Sequence, residues 1–303
     1  MGAEWPLDAE PITPVHTHPL RMAFDRAQKH MWCYYVPFLC CFSLPPGRVV
    51  LVSRRTDALC LLVQRGSHVD LLVPPLPLSE RVLNEVVCAA RTINGNRPTR
   101  ILWADETDAR QLSSAGFSIQ AKDTEYLYDP RQVAAASGAP YRDLRKRLKR
   151  FRKNRDARFR ALRAEDLPAC SALLKHWRRR QGRKHPFLLD WGYTRAALDR
   201  YGTWPDAALQ GWCIERRGQI AGFALVGPMQ DGLANFFVAK TDPDVFGLSE
   251  FLRWNVYSQL TDYRLVNDAG DLGLPGLKQY KQKFRPSARL PVYSAEVRLE
   301  GVV

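Results

Sequence analysis

Residues 266–286, V-N-D-A-G-D-L-G-L-P-G-L-K-Q-Y-K-Q-K-F-R-P, carry the side chains that bind an anion and move a proton. Asn267, Asp268 and Asp271 fall where an apolar, strand-like run gives out. Gly270, Gly273 and Gly276 let the backbone turn sharply or come close to a ligand. Pro275 suits the first turn of a helix. Lys278, Lys281 and Arg285 then recur at helical spacing, which puts them on one face, with Lys283 directed elsewhere. Carboxylates at a strand end, facing a cationic helix over a glycine turn, can hold an anion and transfer a proton. The same pattern also fits a plain strand-turn-helix corner with a solvated basic face.

The elements that must position these residues are read from periodicity. After a Pro- and His-containing lead, a helix is expected over 19–31. Strands are expected over 32–43, 48–54, 58–64 and 68–73, split by turns at 55–57 and 65–67. Ser79 is expected to cap a helix reaching Asn94. A strand over 100–103, a helix over 106–115 ended by Gly116, and a strand over 117–128 follow. The second half repeats the order. A helix over 167–180 has Leu167, Cys170, Leu174 and Trp177 on one face. Strands at 211–216, 220–226 and 233–239 precede a helix at 247–260, a strand at 263–267, a helix at 277–284 and a strand at 289–299. Each half thus reads meander, helix, strand, helix, strand. An internal duplication with a period of roughly 150 residues accounts for the order, and a mixed α/β (α+β) class follows. The expected division is residues 1–135, a basic connecting helix at 136–160, and residues 161–303 carrying the site.

The connector is the most charged part of the chain. Of the twenty residues 141–160, eleven are Lys or Arg, and Tyr141, Leu144, Leu148 and Phe151 form a thin apolar stripe at helical spacing. Like charges at that density repel one another, so the helix gains from a partner that supplies negative charge. Arg145, Lys146, Lys149, Arg150, Arg152 and Lys153 are the candidate phosphate contacts, and binding through them would weaken with salt. A linker helix with solvated charges and a membrane-surface helix fit the same pattern. A second cluster, Arg178, Arg179, Arg180, Arg183 and Lys184, extends the cationic surface.

Whole-chain totals agree. The 45 Lys and Arg against 31 Asp and Glu leave a net charge of +14, which favours a polyanionic partner such as nucleic acid or an anionic membrane surface. With 46% hydrophobic residues the chain can bury a sizeable core, so global disorder is excluded. The seven cysteines are scattered, with no CxxC pair, and so indicate neither a zinc site nor a disulfide framework. Buried reduced thiols in a cytoplasmic protein are the expectation. His16, His18 and His30 lack a cluster of further ligands and are expected on the surface. The start of the chain lacks the pattern of a signal peptide, and the most apolar run, 31–44, is too short to span a bilayer, so no integral membrane segment is expected.

Four stretches together resemble a known family: Glu125-Tyr126-Leu127-Tyr128; the basic helix with Arg145 and Phe151; F-F-V-A-K-T-D-P-D-V-F-G-L-S-E-F from Phe236; and the run from Asn267 to Pro286. They resemble the catalytic domain of the phosphatidylglycerol lysyltransferases, the DUF2156 group, from about Trp32 to Glu296. The last stretch is the most specific, with Asn267, Asp271-Leu272-Gly273, Gly276-Leu277-Lys278, Lys281 and Pro286 standing where that pattern has Asn, D-L-G, G-L-(R or K), Lys and Pro. Departures fall at Ala269-Gly270, at Ala239 and at Leu144-Arg145-Lys146. The resemblance implies two tandem GNAT-like domains, each a mainly antiparallel or mixed sheet flanked by helices. It also implies transfer of an aminoacyl group from aminoacyl-tRNA to a hydroxyl or amine of a small molecule or a lipid.

For that reaction Lys281, Lys278 or Arg285 would stabilise the oxyanion or the terminal phosphate of the tRNA. Asp271 would orient the amino group or act as the base. Lys240 and Asp242, from a neighbouring strand end, would complete the site, though a strand-end salt bridge explains them equally well. Asn267, Gly273 and Gly276 would shape the substrate pocket. No metal and no cofactor are called for, because the ester is already activated and the aminoacyl-tRNA is the co-substrate. Two other readings stand beside this one. An acyl-CoA N-acyltransferase would cradle a pyrophosphate where this chain has Asp242-Pro-Asp244-Val-Phe-Gly247, whose acids would repel it. A non-catalytic RNA-binding protein would keep only the basic helix.

Overall fold

The computed structural model describes residues 8–153, 156–182, 190–204 and 208–297. The first half of the chain forms β1 (Ala9–Pro11), α1 (Thr17–Arg26), α2 (Val36–Phe42), β2 (Val49–Arg54), β3 (Leu59–Arg65), β4 (His68–Leu71), α3 (Glu80–Asn94), β5 (Arg100–Ala104), α4 (Glu106–Ser114) and β6 (Phe117–Tyr128). After α5 (Pro130–Ala135) and α6 (Arg142–Arg152) come β7 (Ala157–Ala161), α7 (Leu167–Gly182), α8 (Asp190–Asp199), β8 (Gln210–Arg216), β9 (Gln219–Gln230), β10 (Leu233–Thr241), α9 (Leu248–Ser258), β11 (Leu265–Gly270), α10 (Pro275–Gln282) and β12 (Ala288–Val297). The repeat expected from the sequence is present. The meander β2-β3-β4 is followed by α3, β5, α4 and β6, and the meander β8-β9-β10 by α9, β11, α10 and β12.

Pairing gives a mixed sheet in the order β1-β2-β3-β4-β5-β12-β6-β11-β10-β9-β8-β7. The last strand of each repeat is exchanged. β12 lies antiparallel to β5, with Tyr293 opposite Ala104 and Glu296 opposite Arg100, while β6 lies antiparallel to β11. This exchange sets the compact units. One runs to Thr124 and takes the chain back from Leu290; the other is Glu125–Arg289. The division therefore falls inside β6, not at residue 135, and the C-terminal strand returns to the first unit instead of completing a separate sheet at 161–303. The basic connector belongs wholly to the second unit. Each unit has its own core: Leu62, Val86 and Ile101 are among the fully buried residues of the first, and Ala224, Phe236, Leu252 and Val266 of the second.

Local chemistry explains most boundaries. Ser79 caps α3 as expected, its Oγ accepting from Val82 N at 3.4 Å. The basic helix α6 buries Leu144, Leu148 and Phe151 and leaves the rest of its surface to the cations. It stops at Arg152, short of the full run to 160, because Ala157–Ala161 alternates at period two and pairs with β8. There Arg160 is held by both carboxylate oxygens of Asp166, at 2.6 and 2.8 Å. Two expectations are overturned. Residues 32–43 do not form a strand: α2 is a helix with Pro37 in its first turn and all seven residues buried. A short apolar run buried on every side has no periodicity to separate helix from strand. His16 is not a surface residue either. It is 5% exposed, with Nε2 3.0 Å from Glu10 and Nδ1 accepting from Thr13 N at 3.0 Å. β1, α5, β7 and α8 had no counterpart in the sequence reading.

All seven cysteines are free, and only Cys88 is exposed. Burial pushes the Cys170 thiol up to about 12, and those of Cys60 and Cys213 to about 11. A raised thiol pKa leaves almost no thiolate near pH 8, and thiolate is the reactive form. Titration of the native chain with a disulfide reagent at pH 8 is therefore expected to show fast reaction at Cys88 alone. Cys60, Cys170 and Cys213 should react only after unfolding; a second fast thiol would mean that the cores open.

Candidate active site

Asn267, Asp268, Asp271 and Lys281 lie near the level where two parallel strands part. β11 pairs with β10 through Leu265, Val266 and Asn267, opposite Leu233, Ala234 and Asn235. β10 carries a register shift between Phe236 and Val238, and β11 one against β6 between Asn267 and Gly270. Bulges at the same level bend both strands and re-aim their side chains. Beyond that level β11 gives Asp268 and the Asp271 turn, while β10 gives Lys240, 5% exposed, with Nζ 3.8 Å from the Trp177 ring centre.

Backbone strain is concentrated here. Of the six non-glycine residues with positive φ among the described residues, Ala269, Leu272 and Arg285 fall between the last residues of β11 and the stretch just past α10. The Leu274 N–H donates to the Asp271 carbonyl at 2.9 Å across Leu272 (φ 54) and Gly273 (φ 68), a type I′ geometry. Glycine is required at 273 for this reason. Gly276, by contrast, lies within α10 with open space around it. The turn aims the Asp271 carboxylate inward. Its Oδ1 accepts from Gly273 N at 3.0 Å and its Oδ2 from the Tyr126 hydroxyl at 2.5 Å.

Asp268 anchors the other half of the cluster. It is 2% exposed. Lys281 Nζ donates to its Oδ1 at 3.0 Å and also to its carbonyl. Arg253, from α9, donates to Oδ2, which also accepts from the Tyr257 hydroxyl at 3.1 Å. Burial works against the Arg253 charge, but the charge on Asp268 offsets it and holds Arg253 above its ordinary range. Burial, then the charge of Asp268, raises Tyr257 and Tyr128, so both phenols remain donors. Tyr128 donates to the Lys281 carbonyl at 2.9 Å. Asn267 is buried and donates to Glu125 Oε2 at 2.7 Å.

The remaining candidates are placed as follows. Lys278 is exposed on α10, away from the buried Lys281. Arg285 does not share the helix face, because α10 ends at Gln282. It donates from Nε to the Pro140 carbonyl at 2.8 Å, tying the end of α10 to the start of α6. Asp242 Oδ1 accepts from Asp244 N at 3.0 Å and lies 3.8 Å from His176 Nε2. His176, Asp242 and Asp244 bring three potential metal-ligand atoms within 4.8 Å of one another, but Asp244 is already paired with Arg180 at 2.5 Å. The Arg180 hydrogen bond, then its charge, holds the Asp244 carboxyl below the usual range. Arg145, Lys146, Lys149, Arg150, Arg152 and Lys153 are all exposed along α6. Arg178 and Arg179 are exposed on α7; Arg183 and Lys184 lie outside the described residues.

Arg253 and Tyr257 were not singled out from the sequence, and Tyr126 only as part of the stretch 125–128, without a role. A signal existed: Arg253 and Tyr257 lie three or four residues apart from Glu250 onward, a polar stripe in an otherwise apolar helix. Tyr126 and Tyr128 alternate onto one face of β6.

The family model for phosphatidylglycerol lysyltransferase, C-terminal, matches residues 39–296. The chain belongs to that family. No curated protein matches the sequence. Among solved structures, a conserved protein of unknown function from Bacteroides thetaiotaomicron is similar with TM-score 0.82 at 16% identity, over 96% of this chain and 100% of that one. L-PGS from Bacillus licheniformis gives TM-score 0.66 at 15% identity, over 97% of this chain and 94% of that one. A tandem GNAT protein from the clavulanic acid biosynthesis pathway gives 0.53 at 13%, over 97% and 100%. At these identities the likeness concerns the fold, and the fold is GNAT-like and tandem. Among the described residues no helix is long and apolar enough to cross a membrane.

Replacing Asp268 by Asn would leave the Lys281 and Arg253 charges buried without their counter-charge. The expected loss of stability is about 3–5 kcal/mol, measured by urea unfolding of Asp268→Asn against the parent chain. A change under about 1 kcal/mol would mean that water already shields the three groups.

Proposed function

We propose that this chain is an aminoacyltransferase, which moves an aminoacyl group from the terminal ribose of a charged tRNA to a hydroxyl or amine. Family membership supports the transferase class. The observation that carries the RNA-borne donor is α6, a helix with a buried apolar seam and Lys or Arg over its exposed faces. A seam so well anchored presents the cations as a fixed surface, the form in which phosphate contacts cost least to order.

In this reading Asp271 takes the proton from the attacking hydroxyl or ammonium, or orients the α-amino group of the donor. Its two hydrogen-bond donors, Tyr126 and Gly273, hold the carboxylate in place for that work. The ester carbonyl becomes an oxyanion in the transition state, and Lys240, at the end of β10, is the cation offered to it. Lys281 and Arg253 fix Asp268 and so the course of the chain into the Asp271 turn. Asn267 and Glu125 set the floor between β11 and β6, while Gly273 and Gly276 leave room for the donor. Lys278 and Arg285, both exposed, extend the phosphate surface of Arg145, Lys146, Lys149, Arg150, Arg152 and Lys153. No metal or cofactor enters this scheme, since the ester supplies its own leaving group. The acceptor is a small molecule or a lipid headgroup, and a cytoplasmic location fits the charged-tRNA supply.

Acyl-CoA as donor is the weaker reading. The loop from β10 into α9 carries Asp242 and Asp244 where a pyrophosphate would approach the helix start; Asp244 pairs with Arg180 of α7, and His176 Nε2 lies 3.8 Å from Asp242 and 3.5 Å from Asp244.

Incubation with a mixed pool of charged tRNAs and candidate acceptors should release one amino acid from its tRNA. Asp271→Asn should cut that rate by about 10²–10⁴-fold while leaving tRNA affinity intact. Stabilisation by acetyl-CoA in a thermal melt, with no response to any charged tRNA, would overturn the assignment in favour of CoA. Substituting Lys146, Lys149 and Lys153 together by Gln should weaken tRNA binding and flatten its salt dependence by roughly two to three phosphates' worth. An unchanged slope would remove α6 from the interface.

A further inference from the structure

Most of the apolar side chains around α6 are hidden, but one is not. Phe246, in the loop entering α9, is 58% exposed. Two cations of α6 lie over its ring: the Arg150 guanidinium carbon 4.9 Å from the centroid and that of Arg147 at 5.2 Å. One helical turn separates the two arginines, and the ring's negative face lessens their mutual repulsion. A third α6 cation, Arg152, lies 4.4 Å from the half-buried ring of Trp254 on α9. The cationic face is thus interleaved with aromatic rings, and Phe246 alone of them is largely open to solvent.

Its position relative to the site is fixed by α9. Gly247 has φ 80, and a Cβ there would lie 3.6 Å from the Phe151 Cβ, so the chain turns into α9 against α6. Glu250 then bridges Arg147 of α6, at 3.3 Å, and Lys283 beyond α10, at 3.0 Å. Ser249 pairs with the Tyr280 hydroxyl of α10 at 2.6 Å. Arg253, on the next turn, reaches Asp268. From Leu248 to Arg253 the axis rises only roughly 8 Å. One short stretch of helix therefore joins the exposed ring to the buried charges.

From this geometry we infer that Phe246 is a stacking platform for an unpaired base next to the 3′ end of the RNA held by α6. The inference rests on the RNA-borne donor proposed above and deepens it. A duplex needs only cations, since its bases are already stacked on each other. An open ring flanked by guanidiniums suits a base with a free face, and such stacking tolerates any base. A strand whose phosphates follow Arg150 and Arg147 brings its unpaired end onto Phe246, in the loop that leaves β10.

The test is anisotropy with three uncharged RNA probes and the full chain: a blunt duplex, the same duplex with a four-nucleotide 3′ overhang, and a single strand. The overhang should bind more tightly than the blunt end. Phe246→Ala should weaken overhang and single-strand binding by about fivefold or more and leave the blunt duplex unchanged, with Phe246→Trp restoring the parent affinity. Because Phe246 is exposed, the Ala variant is expected to fold, and an unchanged melting temperature checks that. Equal affinity of parent and Phe246→Ala for the overhang overturns the proposal, as does an equal loss on blunt and overhang probes. Loss of binding to phosphatidylglycerol vesicles with RNA affinity intact would overturn it in favour of a membrane contact. Since no probe carries an amino acid, failure here leaves the transfer assay unaffected, and failure of that assay leaves this result standing.

Discussion

A carboxylate buried between two cations is the constraint on which the second unit turns. Asp268 could not be left ionised in that core alone, and Lys281 and Arg253 could not be left charged there without it. Each of the three comes from a different element: the end of β11, the last turn of α10 and the middle of α9. Satisfying one charge therefore fixes the mutual placement of three elements. Such groups gain little net stability over an apolar core, because desolvation consumes most of the attraction. What they give is a single permitted arrangement, since any slip of α10 or α9 strands a charge.

That arrangement matters because the neighbouring backbone is not regular. The chain must leave β11 through a bulge, pass Ala269 at positive φ, and turn back within four residues at Asp271–Leu274. Left-handed conformations at Ala269, Leu272 and Arg285 each cost energy that a helix or strand would not. The hydrogen bonds from Tyr126, Gly273 and Tyr128 and the charges around Asp268 over-determine the path and so hold the strain in place. The return is a carboxylate, Asp271, buried against the Tyr126 hydroxyl just past the level where β10 and β11 cease to pair, at the carboxyl ends of parallel strands. Ligands of α/β sheets gather at such ends for the same reason: backbone and side chains there have no neighbouring strand to satisfy them.

Much of this was legible in the sequence, and the part that was not has a physical cause. Alternation and helical spacing suffice for the meander, the capped α3 and the stripe of α6, because each has one wet face and one dry face. They fail at α2, where every face is dry. The repeated order of elements is visible in the chain, but the exchange of β6 and β12 between repeats is not. Exchanged and unexchanged strands bury the same residues, and only pairing distinguishes them. The glycine corner announces Asp271 and Lys281 through residue type. Of its supporting side chains, Arg253 and Tyr257 come from a distant stretch that looks like ordinary core, Tyr126 from a stretch marked only by resemblance, and sequence spacing says nothing about which distant stretches meet.

The same reasoning separates two kinds of positive charge in this protein. Lys281 and Arg253 are buried, matched to one carboxylate and fixed; they shape the chain. The cations of α6 are exposed and outnumber nearby acids, with Glu250 shared between Arg147 and Lys283 as the main local counter-charge. Exposed charges of one sign repel across a helix and are screened by salt; within the fold, Arg145 donates to the Ala136 and Gly138 carbonyls and Arg147 pairs with Glu250. The helix keeps its cations on its outer faces and docks through its apolar stripe. Its anchor on α9 is also the element that carries Arg253 to Asp268. The cationic surface of α6 and the scaffold of the buried site are thus two ends of one helix pair.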